Sequence, residues 1–144
     1  MPHYSPLLVK PMREELTSIG FRELLTSQEV DAAMEDVKTD LTLVAVNAVT
    51  AAAAGMARPG VRLALANSSG AKVPDRLLTV LPGDDVEAVQ TFFRHLPDFP
   101  PSDPSFFLFK DGEVVYYMPQ YRIEGRDHMA VAADLSAAFA EFDE

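Results

Sequence analysis

The feature that most constrains this chain is the order in which short β-rich runs alternate with helical segments. Four apolar runs, rich in β-branched or aromatic residues, have the pattern of strands buried in a sheet. They are residues 41–46, 77–81, 105–109 and 113–118. The last two flank Lys110-Asp111-Gly112, and Asp-Gly between two such runs is a strong hairpin signal. A helical segment separates the first two, so a mixed sheet is predicted.

The helical segments follow from caps, breakers and apolar periodicity. The first begins at Pro11 and stops before Gly20, and the second is capped by Thr26 or Ser27 and runs to about Val37. The others are predicted at 51–67 with a kink near Pro59, at 84–96 with Asp84 and Asp85 capping its start, and at 124–142. The order resembles an α/β thioredoxin-like fold. It predicts one domain, residues 1–144, with a mixed central sheet, helices on both faces and an N-terminal helical extension.

The charge of the chain limits its partners. Twelve basic residues against 22 acidic ones give a net charge of −10. Such a surface repels nucleic acid and anionic lipid, so neither partner is expected. No apolar run approaches the roughly 20 residues that cross a bilayer, and residues 1–10 lack a secretory pattern. A cytoplasmic protein is expected, and no pattern indicates an oligomeric state.

The chain has no cysteine, so it has no thiol or disulfide of its own. A chain of 144 residues can bury enough surface to fold without a disulfide or a metal. Its three histidines, His3, His95 and His128, have no metal-ligand spacing and are predicted at the surface or at helix ends. No metal and no cofactor are expected.

Four long strings of the sequence resemble the bacilliredoxin family of thioredoxin-like proteins. They are KPMREELTSIGFRELLTSQEVD, LTLVAVNAVTAAAAGMARPGV, LLTVLPGDDVEA and PPSDPSFFLFKDGEVVYYMPQYRIEG, and together they cover most of the chain. The resemblance implies thiol–disulfide exchange: the removal of bacillithiol from mixed disulfides on proteins, or the reduction or isomerisation of disulfides. The implied partner is a protein or a low-molecular-weight thiol.

The resemblance also locates what is missing. The family carries Cys-Gly-Cys where this chain has Thr50, Ala51 and Ala52. Exchange needs a thiolate, and a threonine hydroxyl is not ionised by a helix end alone. The chain is therefore predicted to be redox-inactive. Thr50 is expected to cap the following helix by accepting from the N–H of Ala52 or Ala53.

The substrate groove implied by the resemblance comprises Asn47, Thr50, Ala51, Ala52, Arg58, Pro104 and Ser105. A cis peptide bond before Pro104 is expected from the resemblance, in a loop where a partner's backbone can lie. Arg58 is interpreted either as a solvated arginine on the helix face, which is favoured, or as a ligand for a carboxylate of a thiol cofactor or partner.

Three functions compete at this point. The first is a non-catalytic binding module that keeps the groove, and it is favoured. The second is an active bacilliredoxin or disulfide isomerase whose cysteines have been removed deliberately, although such removal seldom also changes the intervening glycine. The third is an enzyme of another class in which a base activates Thr50.

Overall fold

The computed structural model describes residues 6–50, 52–67, 73–82 and 85–142. The helices are α1 (Pro6–Thr17), α2 (Ser27–Asp36), α3 (Arg58–Asn67), α4 (Val86–Arg94) and α5 (His128–Glu141). The strands are β1 (Arg22–Glu23), β2 (Leu41–Val46), β3 (Arg76–Val80), β4 (Ser105–Lys110) and β5 (Glu113–Met118). A π-helical turn (Ala53–Ala57) precedes α3, and a 3₁₀ turn (Gln120–Arg122) follows β5.

One mixed sheet carries the fold, as predicted. Its strand order is β1-β3-β2-β4-β5. The pairs β1–β3 and β2–β3 are parallel, while β2–β4 and β4–β5 are antiparallel. All six residues of β2 are buried, as expected of a central strand between two neighbours and two helical layers.

Helices cover both faces of this sheet, and each face has its own apolar core. On one face, side chains of β2 and β4 pack with α3, α5 and the end of α1, around Leu43, Val61 and Phe139. On the other face, α2 and α4 cover a cluster around Val44 and Phe107. The predicted arrangement of helices on both faces is thereby confirmed.

Strand β1 is absent from the predicted order because two residues carry no periodic signal. Arg22 and Glu23 pair with Leu78 and Thr79, so the free edge of β3 makes this segment a strand. The helix α1 begins five residues earlier than predicted, at Pro6, and contains Pro11 in its interior. The buried side chain of Val9 shows that this extra turn packs against the fold and compensates for an internal proline.

Two further helix starts differ from prediction. Helix α5 begins at His128 and not at Glu124, because Gly125 has a positive φ of 80° and Asp127 caps the helix by accepting from the N–H of Ala130. At α4, Asp85 makes no side-chain cap. Its two carboxylate oxygens accept from the Arg13 guanidinium at 2.8 and 3.0 Å. Asp84 lies outside the described residues.

The irregularity predicted near Pro59 takes the form of the π-helical turn. The N–H of Arg58 bonds to the carbonyl of Ala53, five residues back. Pro59 has no N–H with which to bond the Gly55 carbonyl, so a regular α-helical ladder is already interrupted there. Among the described helices, none is both long and apolar enough to pass through a bilayer.

Replacing Tyr116 by phenylalanine is expected to stabilise the protein by about 1 kcal/mol. The Tyr116 hydroxyl is buried and has no hydrogen-bond partner among the described residues, so its desolvation is uncompensated. Burial also raises the pKa of this phenol. Denaturant unfolding of Tyr116→Phe measures the change, with Tyr117→Phe on the opposite face as the control. A loss of stability in Tyr116→Phe alone would show that the hydroxyl is bonded.

Candidate functional site

The site begins where β2 ends, with the buried amide of Asn47. Its Nδ2 donates to the Met12 carbonyl at 3.2 Å. Its Oδ1 accepts from the Ala48 N–H and from the Arg58 guanidinium, both at 2.8 Å. Asn47 therefore fastens the loop that follows β2 to α1 and α3, and its amide serves this internal role.

Thr50 is the exposed residue at the start of the next helical turn. Its Oγ1 accepts from the N–H of Ala53 at 3.3 Å, and its carbonyl accepts from the N–H of Ala54 at 3.1 Å. The predicted cap is confirmed, with Ala53 as the donor. Ala52 is buried, and Ala51 lies outside the described residues. In the described part of the chain, no carboxylate or imidazole is bonded to the Thr50 hydroxyl, so no base is in place to activate it.

Arg58 is not the solvated arginine that the sequence favoured, because its side chain is only 3% exposed. Its Nη1 donates to the Ala48 carbonyl at 2.6 Å as well as to Asn47. Its Nε donates to Glu15 at 2.8 Å. Arg58 is buried because these partners on α1 and on the loop after β2 pack against it. The apolar period along α3 could not predict them, since they belong to other elements. The carboxylate that Arg58 holds belongs to its own chain.

The loop that contains Pro104 lies beside the loop that follows β2. The Asp103–Pro104 peptide is cis, as expected. Ser105 pairs with Val46, so Pro104 and the residues before it run next to the segment that follows β2. The Ser105 hydroxyl is fully buried and donates to the Ser102 carbonyl at 2.7 Å. The Ser102 hydroxyl in turn accepts from the Gln120 N–H at 2.9 Å, which holds the loop to the 3₁₀ turn.

The fold thus gathers Asn47, Arg58, Ser105 and the cis-proline at one end of β2, but most of their polar atoms are used internally. Among the described residues of the predicted groove, Thr50 is the one whose side chain is exposed.

Asp103 is a residue of this site that the sequence pattern did not single out. Its carboxyl group is half-buried, and among the described residues it has no hydrogen bond or ion pair. Burial raises the pKa of this carboxyl group. The signal available in the sequence was an acidic residue directly before the expected cis-proline, in a loop that runs beside the start of the helix.

Asp103→Asn is expected to make the protein more stable at neutral pH and to lose this advantage in acid. Because the folded-state pKa of Asp103 is raised, the folded state binds the proton more tightly. The parent chain is therefore stabilised by protonated Asp103 below the unfolded-state pKa. It loses this stabilisation as the pH rises through the folded-state pKa, because the ionised carboxylate is then half-buried. Denaturant unfolding from about pH 3 to about pH 8 measures the difference. The exposed Asp98→Asn is the control, and parallel profiles for the two variants would contradict the prediction.

The histidines lie at the surface where they are described. His95 follows α4 and bonds to Asp31 at 2.8 Å, and His128 is the exposed first residue of α5. His3 is outside the described residues. Over residues 6–50, 52–67, 73–82 and 85–142, no group of three acidic or histidine side chains could hold a metal ion.

Comparison with known proteins decides the family. A family model described as disulphide isomerase matches residues 4–143. The chain is 43% identical to a bacilliredoxin of Salinibacter ruber over 96% of its length and 81% of that protein. It is also 43% identical to a bacilliredoxin of Halalkalibacterium halodurans, over 96% of this chain and 93% of that protein. The chain belongs to the bacilliredoxin family.

The fold of this bacilliredoxin-family chain is confirmed independently. A reduced thioredoxin pre-protein of Schistosoma mansoni superposes with a TM-score of 0.55 at 18% identity, over 85% of this chain and 98% of that one. The bacilliredoxins form a thiol–disulfide redox family, whereas this member contains no cysteine. That the family's cysteine positions correspond to Thr50 and Ala52 stays a prediction from the sequence resemblance.

Proposed function

We propose that this chain is a redox-inactive member of its family that binds a protein or low-molecular-weight thiol partner without exchanging disulfides. One observation carries the proposal: cysteine is absent, while the cap at Thr50 and the cis-proline at Pro104 lie on the two segments that flank the paired residues Val46 and Ser105. The chemistry requires a thiolate, whereas binding requires only the shape of the groove. A cytoplasmic location belongs to the same proposal.

The local geometry supports binding in two ways. The helical turn that starts after Thr50 has its N-terminal, positive dipole end at this end of the fold, which favours an electron-rich group of a partner. The loop at Asp103 and Pro104 is held from both sides, by Ser105 and by the 3₁₀ turn, so it meets a partner with little ordering cost. A partner segment lying along this loop would approach the segment that follows β2, which carries Thr50.

The test separates binding from turnover. A model protein capped with bacillithiol through a mixed disulfide, and the same protein uncapped, are titrated with this chain by calorimetry. Release of bacillithiol is followed in parallel. We expect saturable binding with no release above background. Release by the cysteine-free chain would overturn the proposal, and so would the absence of any binding to either protein.

A pair of variants locates the binding surface. Thr50→Arg places a long side chain at the centre of the proposed groove and is expected to weaken binding at least tenfold. Ala137→Arg introduces the same side chain at an exposed position of α5 and is expected to leave binding unchanged. Equal effects of the two variants would mean that the partner binds elsewhere.

The alternative is that the chain derives from an active bacilliredoxin or disulfide isomerase by removal of its cysteines. It predicts a genomic reading frame with cysteine codons at positions 50 and 52. A reading frame with threonine and alanine codons there would end this alternative. An enzyme of another class is not supported, since no described base is bonded to Thr50.

A further inference from the structure

A cavity lies between α1, α3 and the start of α5, and of the described groove residues it shares only Arg58. Its volume is about 350 Å³. The polar side chains that line it are Glu15, Arg58, Arg62 and His128, and the apolar wall includes Leu63 and Ala66. The volume is near the lower end of the range for small-molecule sites, which favours a metabolite-sized ligand over a protein segment.

A close helix crossing brings these groups together. A Cβ atom added at Gly60 would lie 2.6 Å from Cγ1 of Val131 and 3.2 Å from the His128 carbonyl oxygen. Only glycine therefore allows α3 to approach α5 this closely. The crossing places His128 against the turn of α3 that carries Arg58 and Arg62, so the cavity is part of the fold's packing.

The hydrogen-bond donors of the cavity have unused bonding capacity. Arg62 is exposed at the cavity, and neither its guanidinium nor the His128 ring bonds to any described residue. Arg58 uses Nε and Nη1 for its partners, and Nη2 takes part in none of those bonds. With Glu15 as the acidic lining residue, the wall is net positive in a chain whose total charge is −10. The N-terminal end of α5 adds positive potential at the rim.

We infer that this cavity binds a small organic anion through a carboxylate or phosphate group. Arg62 is the main ligand, since a guanidinium matches either group with two parallel donors. His128 supplies a further donor from the opposite wall, and Leu63 and Ala66 contact a short apolar portion of the ligand. The inference is independent of the proposed function, because the cavity does not include Thr50 or Pro104.

The experiment titrates the full chain with inorganic phosphate, succinate and butyrate at constant ionic strength, with chloride as the reference. Amide chemical shifts report binding and its place. We expect at least one probe to saturate, with the largest shifts at residues 58–66 and 128–131. Saturation by phosphate alone identifies a phosphate ligand, and saturation by the carboxylic acids alone identifies a carboxylate. No saturation by any probe would overturn the inference.

Two arginine variants make the test specific. Arg62→Gln is expected to weaken the affinity for the anion at least tenfold. The fold should tolerate this change because the Arg62 side chain has no partner among the described residues. Arg22→Gln removes the same charge from the exposed edge strand β1 and should change the affinity less than twofold. If both variants weakened the affinity for the anion equally, net charge alone would explain the effect and the inferred site would be wrong. Thr50→Arg should leave anion binding intact, which separates this inference from the proposed function.

Discussion

A triple variant, Thr50→Cys with Ala51→Gly and Ala52→Cys, is expected to gain thiol–disulfide exchange activity through its new thiols. The reason is that the start of this helical turn would stabilise a thiolate. Thr50 is exposed and stands at the start of a helical turn, with the N–H of Ala53 pointing to its Oγ1 at 3.3 Å. A thiolate placed there would receive the same N–H and the helix dipole. Release of bacillithiol from a capped protein measures the gain.

The single variants sharpen this prediction. Thr50→Cys is expected to have a thiol pKa at least about 1 unit below the free value of about 8.5, because cysteines at helix N-termini are shifted in that direction. The control is Ala137→Cys, near the C-terminal end of α5, where the dipole has the opposite sign. Thiolate ultraviolet absorbance gives both titrations. Equal pKa values, or no activity in a folded triple variant, would show that more than the cysteines has been lost.

The Thr50→Cys substitution, alone or in the triple variant, should slightly lower the free energy of unfolding. Thr50 caps the turn through a hydroxyl oxygen, and sulfur is a weaker acceptor. Losing such a cap costs about 1 kcal/mol. A gain of activity together with a small loss of stability would be the signature of a redox centre rebuilt at the cap.

Replacing Arg58 by methionine is expected to destabilise the protein by about 3 kcal/mol. Methionine keeps much of the buried volume but removes the Arg58 donor from the Ala48 carbonyl and from Asn47 Oδ1, which then keeps only the Ala48 N–H. Each buried acceptor that loses a charged donor costs roughly 1–3 kcal/mol. The released Glu15 adds little because its side chain is 47% exposed. The free energy of unfolding by denaturant measures the loss.

Variants of Glu15 and Arg58 test whether the loss of stability comes from the hydrogen bonds that Arg58 donates. Glu15→Gln removes only the half-exposed partner and should cost less than about 1 kcal/mol. Arg58→Lys keeps the charge but cannot reproduce the fork of donors, so it should stay close to Arg58→Met. A lysine variant as stable as the parent chain would mean that charge, and not geometry, is what the loop after β2 requires.

The sequence predicts the architecture well where its signals are long or specific. The strands at 41–46 and 113–118 have the predicted bounds, and the Asp111-Gly112 turn joins β4 and β5 in antiparallel pairing. These elements follow from the turn preference of Asp-Gly and from the β-strand preferences and alternation of the side chains, and tertiary contacts did not change them. The starts of α1 and α5 were wrong because they depend on a buried Val9 and on the positive φ of Gly125.

The candidate site divides in the same way. The residue types at positions 50–52 establish by themselves that no thiol is present, and the pattern around Thr50 predicts its cap. Which polar groups remain available was decided by the tertiary structure. The sequence favoured a solvated Arg58 because a helix pattern records spacing along one element only. Its partners Glu15, Asn47 and Ala48 approach it from α1 and from the loop after β2.

What the sequence alone determined is therefore the family, the fold class and the absence of redox chemistry by the chain's own cysteines. The tertiary structure decided that Arg58 is buried and that Asp103 has no partner among the described residues. It also decided that Gly60 brings α3 and α5 together around a cationic cavity. The physical reason is that bonding and desolvation depend on which atoms meet across elements distant in the chain, whereas a sequence pattern reports only neighbours along one element.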